Sequence, residues 1–138
     1  MAKNLIIKGT DFSQVVVDKV KFAYTIVDFI LNNGQYYNLL TGQVVDKWAY
    51  WYTNLRIPTG YTSVMCRFPR TTGGALGMEF RTQSGEKISS VCSTSGVDGT
   101  EMTVEIPLDA TNFMFSYLID SYASVSATPK FDGFHFFK

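Results

Sequence analysis

The sequence predicts an all-β domain built as a sandwich of two sheets. Aromatic residues make up 15% of the 138 residues, and aromatic and β-branched side chains favour strands over helices. Turn signals such as Asn33-Gly34 and Asp98-Gly99 recur at short intervals, with alternating apolar and polar runs between them. Helical periodicity is not convincing over any window of about a dozen residues. About eight or nine strands in one domain of this size favour two packed sheets over a single open sheet.

Residues 19–138 are predicted to form this single domain, and residues 1–18 a short N-terminal arm. A chain of 138 residues is long enough for one compact domain and short for two. Within the arm, Leu5-Ile6-Ile7 is a short β-like run, and Thr10-Asp11-Phe12-Ser13 is typical of a turn. We expect the arm either to add an edge strand or to reach for a partner.

Alternation along the chain assigns the strands and their core-facing side chains. Runs of period two cover segments 20–26, 63–68, 76–81, 102–106 and 113–119, and Lys87–Val91 follows the turn at Ser84-Gly85. In the first run Tyr24 and Ile26 have the apolar parity. Phe131–Phe137 is aromatic on both faces, which predicts a closing strand that is covered on both sides. The side chains predicted to be almost fully buried are Val64, Phe68, Met78, Phe80, Val104, Ile106, Phe113 and Phe115.

Charge and hydropathy exclude two classes of partner. Twelve Lys and Arg balance twelve Asp and Glu, so no basic face is expected to neutralise the phosphates of a nucleic acid. No apolar run approaches the ~20 residues of a membrane-spanning helix. The first residues also lack the apolar stretch and cleavage site of a signal peptide, which predicts synthesis in a cytoplasm.

Candidate catalytic and metal-binding residues are sparse, and we predict neither an enzyme nor a cofactor. The single histidine, His135, stands between two phenylalanines, with no nucleophile or orienting carboxylate at a recognisable spacing, so it is predicted to be structural. Cys66 and Cys92 have the apolar parity and are predicted to be free thiols, with a bridge as the alternative. A zinc site would require the fold to bring His135 and both cysteines together.

Other motifs of catalysis are incomplete. Two of Glu79, Glu101 and Glu105 could form a glycosidase pair only within one cleft, and Glu79 and Glu105 have the polar parity, which predicts solvated side chains. The glycine-rich stretch from Thr71 to Gly77 lacks the ending of a phosphate-binding loop and is more simply a hairpin connection. No metal site is predicted.

The densest aromatic feature is the segment Lys47–Thr53. If it is one regular strand, Trp51 faces the core together with Leu55 and Ile57. Three alternatives remain open for the opposite face: a stacking platform for sugars, a protein interface, or burial on both sides. The binding or interface candidates on that face are Trp48, Tyr50, Tyr52 and Arg56.

Three stretches of the chain together form a recognisable pattern. They are Tyr52-Thr53-Asn54-Leu55-Arg56-Ile57-Pro58-Thr59-Gly60, Gly77-Met78-Glu79-Phe80-Arg81 continuing to Lys87-Ile88-Ser89, and Val104-Glu105-Ile106-Pro107 continuing to Ser116-Tyr117. These stretches resemble a jelly-roll module of structural proteins of phages that infect Bacteroides-like gut bacteria. The opening Ile7-Lys8-Gly9-Thr10-Asp11-Phe12-Ser13 is similar to starts found in the same proteins. Two departures are Arg81-Thr82 where the family has Tyr-Asp, and Thr59 where it has valine.

The resemblance implies a carbohydrate-binding-like jelly roll at the virion surface, as a capsid decoration, head fibre or tail fibre subunit. It also implies a homo-oligomer, with a trimer favoured, that contacts other virion proteins, and host surface glycans are a further partner class that the resemblance leaves open. The expected function is therefore that of a non-enzymatic virion structural protein. The alternative is a glycan-binding module of a bacterial or phage surface system.

Overall fold

The structure is a computed structural model that describes residues 23–70, 73–93, 98–118 and 131–138. The predicted arm, residues 1–18, lies outside these ranges. Within them no element is helical, so none is a helix long and apolar enough to cross a membrane. The described strands are β1 (Ala23–Ile26), β2 (Asn32–Asn38), β3 (Gln43–Arg56), β4 (Ser63–Phe68), β5 (Met78–Arg81), β6 (Lys87–Val91), β7 (Thr100–Glu105), β8 (Asn112–Leu118) and β9 (Phe134–Phe137).

The strands form two antiparallel sheets with the strand order of a jelly roll. One sheet has the order β1-β9-β4-β7, and the other has the order β2-β3-β8-β5-β6. The first strand pairs with the last, β3 with β8, β4 with β7 and β5 with β6, so that strands distant in sequence are neighbours. β2 is an additional edge strand, joined to β3 by a hairpin. The predicted two-sheet jelly-roll sandwich is confirmed.

The core lies between the inner faces of the two sheets, as the alternation predicts. Seven of the eight predicted side chains are buried, and only Ile106 is wrong, because it follows the end of β7 and is partly buried. Aromatic side chains dominate the interior. The ring centres of Phe113 and Phe115 of β8 both lie about 5 Å from the ring centre of Phe134 of β9. Aromatic side chains from both sheets therefore interdigitate across the sandwich.

Two predictions on the terminal strands need correction. Tyr24 has the apolar parity but is 47% exposed and stacks on Tyr61, because β1 is an edge strand. The closing strand is β9, and its faces differ: Phe134 and Phe136 are fully buried, whereas Phe137 on the other face is only partly buried. The outer face of β9 is therefore not covered like a core.

The β2–β3 hairpin folds across the outer face of the five-stranded sheet. The backbone N–H of Tyr37 donates to Ser116 Oγ on β8 at 2.9 Å, and that of Leu39 donates to the carbonyl of Ala75 at 2.8 Å. Tyr37, Leu39 and Met114 form a second buried apolar cluster on this face, separate from the sandwich core. Part of the outer face is therefore buried under the hairpin, although one face of an antiparallel sheet is commonly solvated.

Gly77, just before β5, allows the chain to pass close to β6. Its φ is +151°, and a Cβ built there lies 2.2 Å from the carbonyl oxygen of Val91. We expect Gly77→Ala to lower the free energy of unfolding more than Gly85→Ala does. Gly85 also has a positive φ, but a Cβ there meets nothing within 4 Å, so its cost is limited to backbone strain of roughly 1–2 kcal/mol. Urea denaturation of both variants measures the difference, and equal losses would contradict the close approach.

Candidate functional site

The aromatic segment of β3 lies at a bulge in the β2–β3 ladder. Asn33 pairs with Trp51 but Gln35 pairs with Asp46, so the register shifts and β3 bulges over residues 47–50. The predicted parity of this segment is confirmed, since Trp51 is 4% exposed in the core and Trp48 is 72% exposed. Trp48 is therefore displayed to solvent at the bulge of β3.

The tyrosines of the same face are less exposed than the tryptophan. Tyr50 is partly buried, with its ring 5.5 Å from that of Tyr36 and the Lys47 ammonium 5.5 Å above it. Tyr52 is also partly buried, and it packs against the apolar cluster under the hairpin. The three rings thus belong to different surroundings, and Trp48 offers the largest exposed aromatic surface among them.

Arg56 belongs to a polar groove farther along β3. Strand geometry places it at most about 26 Å from Trp48. The groove has a volume of about 300 Å³, and we call it the Arg56 groove; it is lined by Asn54, Arg56, Gln83, Thr111 and Asn112. Asn112 pairs with Arg56 across the β3–β8 ladder. The four sequence candidates are therefore on one strand, but Arg56 lies in a groove apart from the three rings.

The amides of this groove escaped the sequence analysis. Asn54 and Asn112 are nearly 60 residues apart, and only the pairing of β3 with β8 brings Asn112 Nδ2 to 2.6 Å from Asn54 Oδ1. Gln83 comes from the β5–β6 turn, and Thr111 precedes β8. The signal that could have found the groove is the outward parity of Asn54 and Arg56, combined with the strand order of the jelly roll.

A buried charge lies beneath the hairpin, where the sequence predicts a solvated one. Glu79 is 2% exposed. Its Oε2 accepts hydrogen bonds from Tyr37 Oη and Arg81 Nε, both at 2.8 Å, and Lys87 Nζ lies 4.0 Å from its Oε1. Arg81 Nη2 also donates to the Tyr37 hydroxyl. The prediction that Glu79 is solvated was wrong because the β2–β3 hairpin covers the outward face of β5. Glu105, by contrast, is exposed on the other sheet, so the two carboxylates share no cleft.

The cluster changes the acidity of its members. Burial raises the pKa of the Tyr37 hydroxyl, and the hydrogen bond to the Glu79 carboxylate raises it further. Burial is the largest single effect and would lower the pKa of Arg81, but the hydrogen bonds and charge interactions with Glu79 and Tyr37 together outweigh it, and the net shift of the pKa is upward. The tyrosine therefore stays a neutral donor and the arginine a cation, which is the state that the carboxylate requires.

His135 lies on the outer face of the four-stranded sheet, away from the Arg56 groove. Its Nδ1 is 3.0 Å from Thr25 Oγ1, and its Nε2 is 3.5 Å from Asp132 Oδ1. A hydroxyl and a carboxylate thus flank the imidazole, which the sequence did not show. Arg67 Nε lies 3.7 Å from the same Asp132 oxygen. We interpret these contacts as links among β1, β4 and β9, because Thr25 is the ladder partner of His135 and Asp132 is shared with Arg67.

The two cysteines lie in different apolar clusters and are free. Cys66 is buried in the sandwich core, whereas Cys92 packs against the cluster under the hairpin. Burial raises the pKa of the Cys66 thiol well above its usual value, which makes it unreactive. The alternatives of a disulfide and of a zinc site with His135 are therefore not realised. Among the described residues, no three His, Cys, Asp or Glu side chains are grouped so that they could hold a metal ion.

Comparisons with known proteins give no relative for this chain. No protein-family model matches it, and no curated protein and no solved structure matches it either.

Proposed function

We propose that the protein is a non-enzymatic structural subunit of a phage virion, a capsid decoration or fibre component, in which the surface around Trp48 is a contact between copies of the chain. The observation that carries the proposal is the exposure of apolar side chains along the β2–β3 hairpin. Trp48 is 72% exposed, Leu40 68% and Val44 42%. The hairpin thus displays three large apolar side chains, and exposed apolar patches are typical of interaction surfaces.

A second copy is the occupant that we favour. Contact energy in protein interfaces is concentrated in buried aromatic residues, and a tryptophan at a bulge is well placed to enter a neighbouring surface. Symmetric assemblies of identical chains are the commonest oligomers of soluble proteins. The preference for a trimer, and for the virion surface as its location, comes from the motif resemblance of β3, β5 and β7–β8 alone.

We expect Trp48→Ala to shift the protein toward the monomer while the fold is retained. The substitution removes the most exposed aromatic ring among the described residues and leaves the core untouched. Light scattering coupled to size exclusion measures the mass, and circular dichroism checks the fold. Leu108→Ala is the matched control, since Leu108 is 99% exposed in the turn between β7 and β8. A wild-type monomer at tens of micromolar, or an equal shift in both variants, would contradict the proposed contact.

A second candidate function is glycan binding, and the Arg56 groove favours it. Amide, hydroxyl and guanidinium groups converge there on the outward face of a jelly-roll sheet. A ligand site of this kind requires a few well-placed polar groups in a concave surface. If the protein binds a glycan, and if Trp48→Ala leaves its oligomeric state unchanged, these results would support glycan binding over a purely architectural function.

A further inference from the structure

We infer that the Arg56 groove binds a carboxylate-bearing sugar, a ligand of the uronic acid class. The inference rests on the second candidate function, glycan binding, and adds the charge that the ligand must carry. It follows from the hydrogen-bonding capacity, the charge and the size of the groove.

The hydrogen bonds within the groove consume acceptors and leave donors. Thr111 Oγ1 donates to Asn112 Oδ1 at 3.1 Å, and Asn112 Nδ2 donates to Asn54 Oδ1 at 2.6 Å. The amide oxygens of Asn54 and Asn112 therefore accept hydrogen bonds from neighbouring side chains. The Asn54 amide nitrogen and the second N–H of Asn112 do not donate to each other. With the five N–H groups of Arg56, the groove offers mainly donors. Its complement is a ligand rich in acceptors.

The lining of the Arg56 groove is also positively charged, which favours the same kind of ligand. The five lining side chains include one cation and no acid. Among the described residues Arg56 makes no ion pair, while Arg81 and Lys87 lie farther along the same row of ladder partners, from Arg56 through Asn112 to Arg81 and Lys87. In the part of the chain that the structure describes, the one acid within 4.0 Å of Arg81 and Lys87 is Glu79, beneath the hairpin. An arginine that is exposed and without an ion pair matches the planar geometry of a carboxylate.

The dimensions of the groove suit one ring-sized ligand. Its volume of about 300 Å³ is at the small end of ligand pockets. In the complex, the ligand carboxylate accepts from the Arg56 guanidinium, and the ring oxygens accept from the amides of Asn54 and Asn112. Because the groove is open, the expected affinity is in the millimolar range, and salt should weaken it by screening the ion pair.

The test titrates the full-length protein with sodium glucuronate and, in parallel, with glucose, which has the same ring without the carboxylate. Side-chain amide resonances of Asn54 and Asn112 in NMR spectra report binding. We expect glucuronate to shift them, with a dissociation constant about tenfold or more below that of glucose, and we expect Arg56→Gln to remove the difference. Arg70→Gln, which changes another exposed arginine, is the matched control.

The other outcomes overturn the inference in distinguishable ways. Equal binding of glucose and glucuronate, unchanged in Arg56→Gln, would leave glycan binding standing and reject the requirement for a carboxylate. Binding of neither sugar would reject both. Acetate that binds as tightly as glucuronate would show that the sugar ring is not recognised. Binding of a glutamate-rich peptide without glucuronate would assign the groove to an acidic protein segment instead.

Discussion

Phe80→Ala is expected to lower the free energy of unfolding by about 3–5 kcal/mol, the usual cost of deleting a large aromatic side chain from a well-packed core. Phe80 is fully buried on β5, and its ring centre is 6.0 Å from that of Phe113 in a T-shaped arrangement. The deletion removes this contact and leaves a cavity between β5 and the facing sheet. Urea denaturation followed by tryptophan fluorescence measures the loss.

The control for this cavity is Ile88→Ala on the adjacent strand β6. Ile88 is 36% exposed, so its truncation should cost no more than about 1 kcal/mol. A similar, small loss in both variants would mean that Phe80 is not part of a close-packed interior, and the assignment of inner and outer faces on β5 would then be wrong.

Arg81→Met is expected to destabilise the protein by about 2–3 kcal/mol, because it leaves the Glu79 carboxylate buried without its closest cation. The estimate is below that for a fully buried pair, since the Arg81 side chain is 24% exposed and Lys87 remains 4.0 Å from the carboxylate. The hairpin should also open more often, because Arg81 additionally donates to Tyr37 at its end. The Cys92 thiol, which packs against the cluster under the hairpin, should then react faster with a thiol reagent.

Two variants separate this effect from a general loss of stability. Glu79→Leu combined with Arg81→Met removes both charges, and the double variant should be less destabilised than Arg81→Met alone. Arg70→Met changes an exposed arginine and should lie within about 0.5 kcal/mol of the wild type. If Arg81→Met neither lowers stability nor speeds the labelling of Cys92, the cluster does not hold the hairpin in place.

Local patterns in the sequence were sufficient to predict most of the buried side chains of the sandwich core. The alternation around Trp51 assigned it to the interior and Trp48 to the exterior, and both assignments agree with their burial. This works because side chains of a strand alternate between two faces, whatever its neighbours are. The same rule failed for Tyr24, whose strand is at a sheet edge, and for Ile106, which lies beyond the end of its strand.

Features of the candidate site depended on contacts between distant segments. The Arg56 groove requires Asn54 and Asn112 to be cross-strand neighbours, and the β5–β6 turn to supply Gln83. The burial of Glu79 depends on the β2–β3 hairpin, which crosses the sheet so that Tyr37, 42 residues earlier in the chain, reaches the carboxylate. Sequence parity says only which face a side chain occupies, and not what covers that face.

The sequence by itself therefore determined that the protein is an all-β sandwich, most of its strands and most of the side chains that line its core; β2 was missed, because Asn33-Gly34 within it was predicted to be a turn. These follow from propensity and from period-two alternation, both of which act over a few residues. Only the tertiary structure decided that the β2–β3 hairpin folds back over the outer face, that Glu79 is an interior charge, and that Arg56 belongs to a groove apart from Trp48. The physical reason is that hydrogen bonds and burial between segments far apart in sequence depend on the strand order, and local alternation does not encode that order.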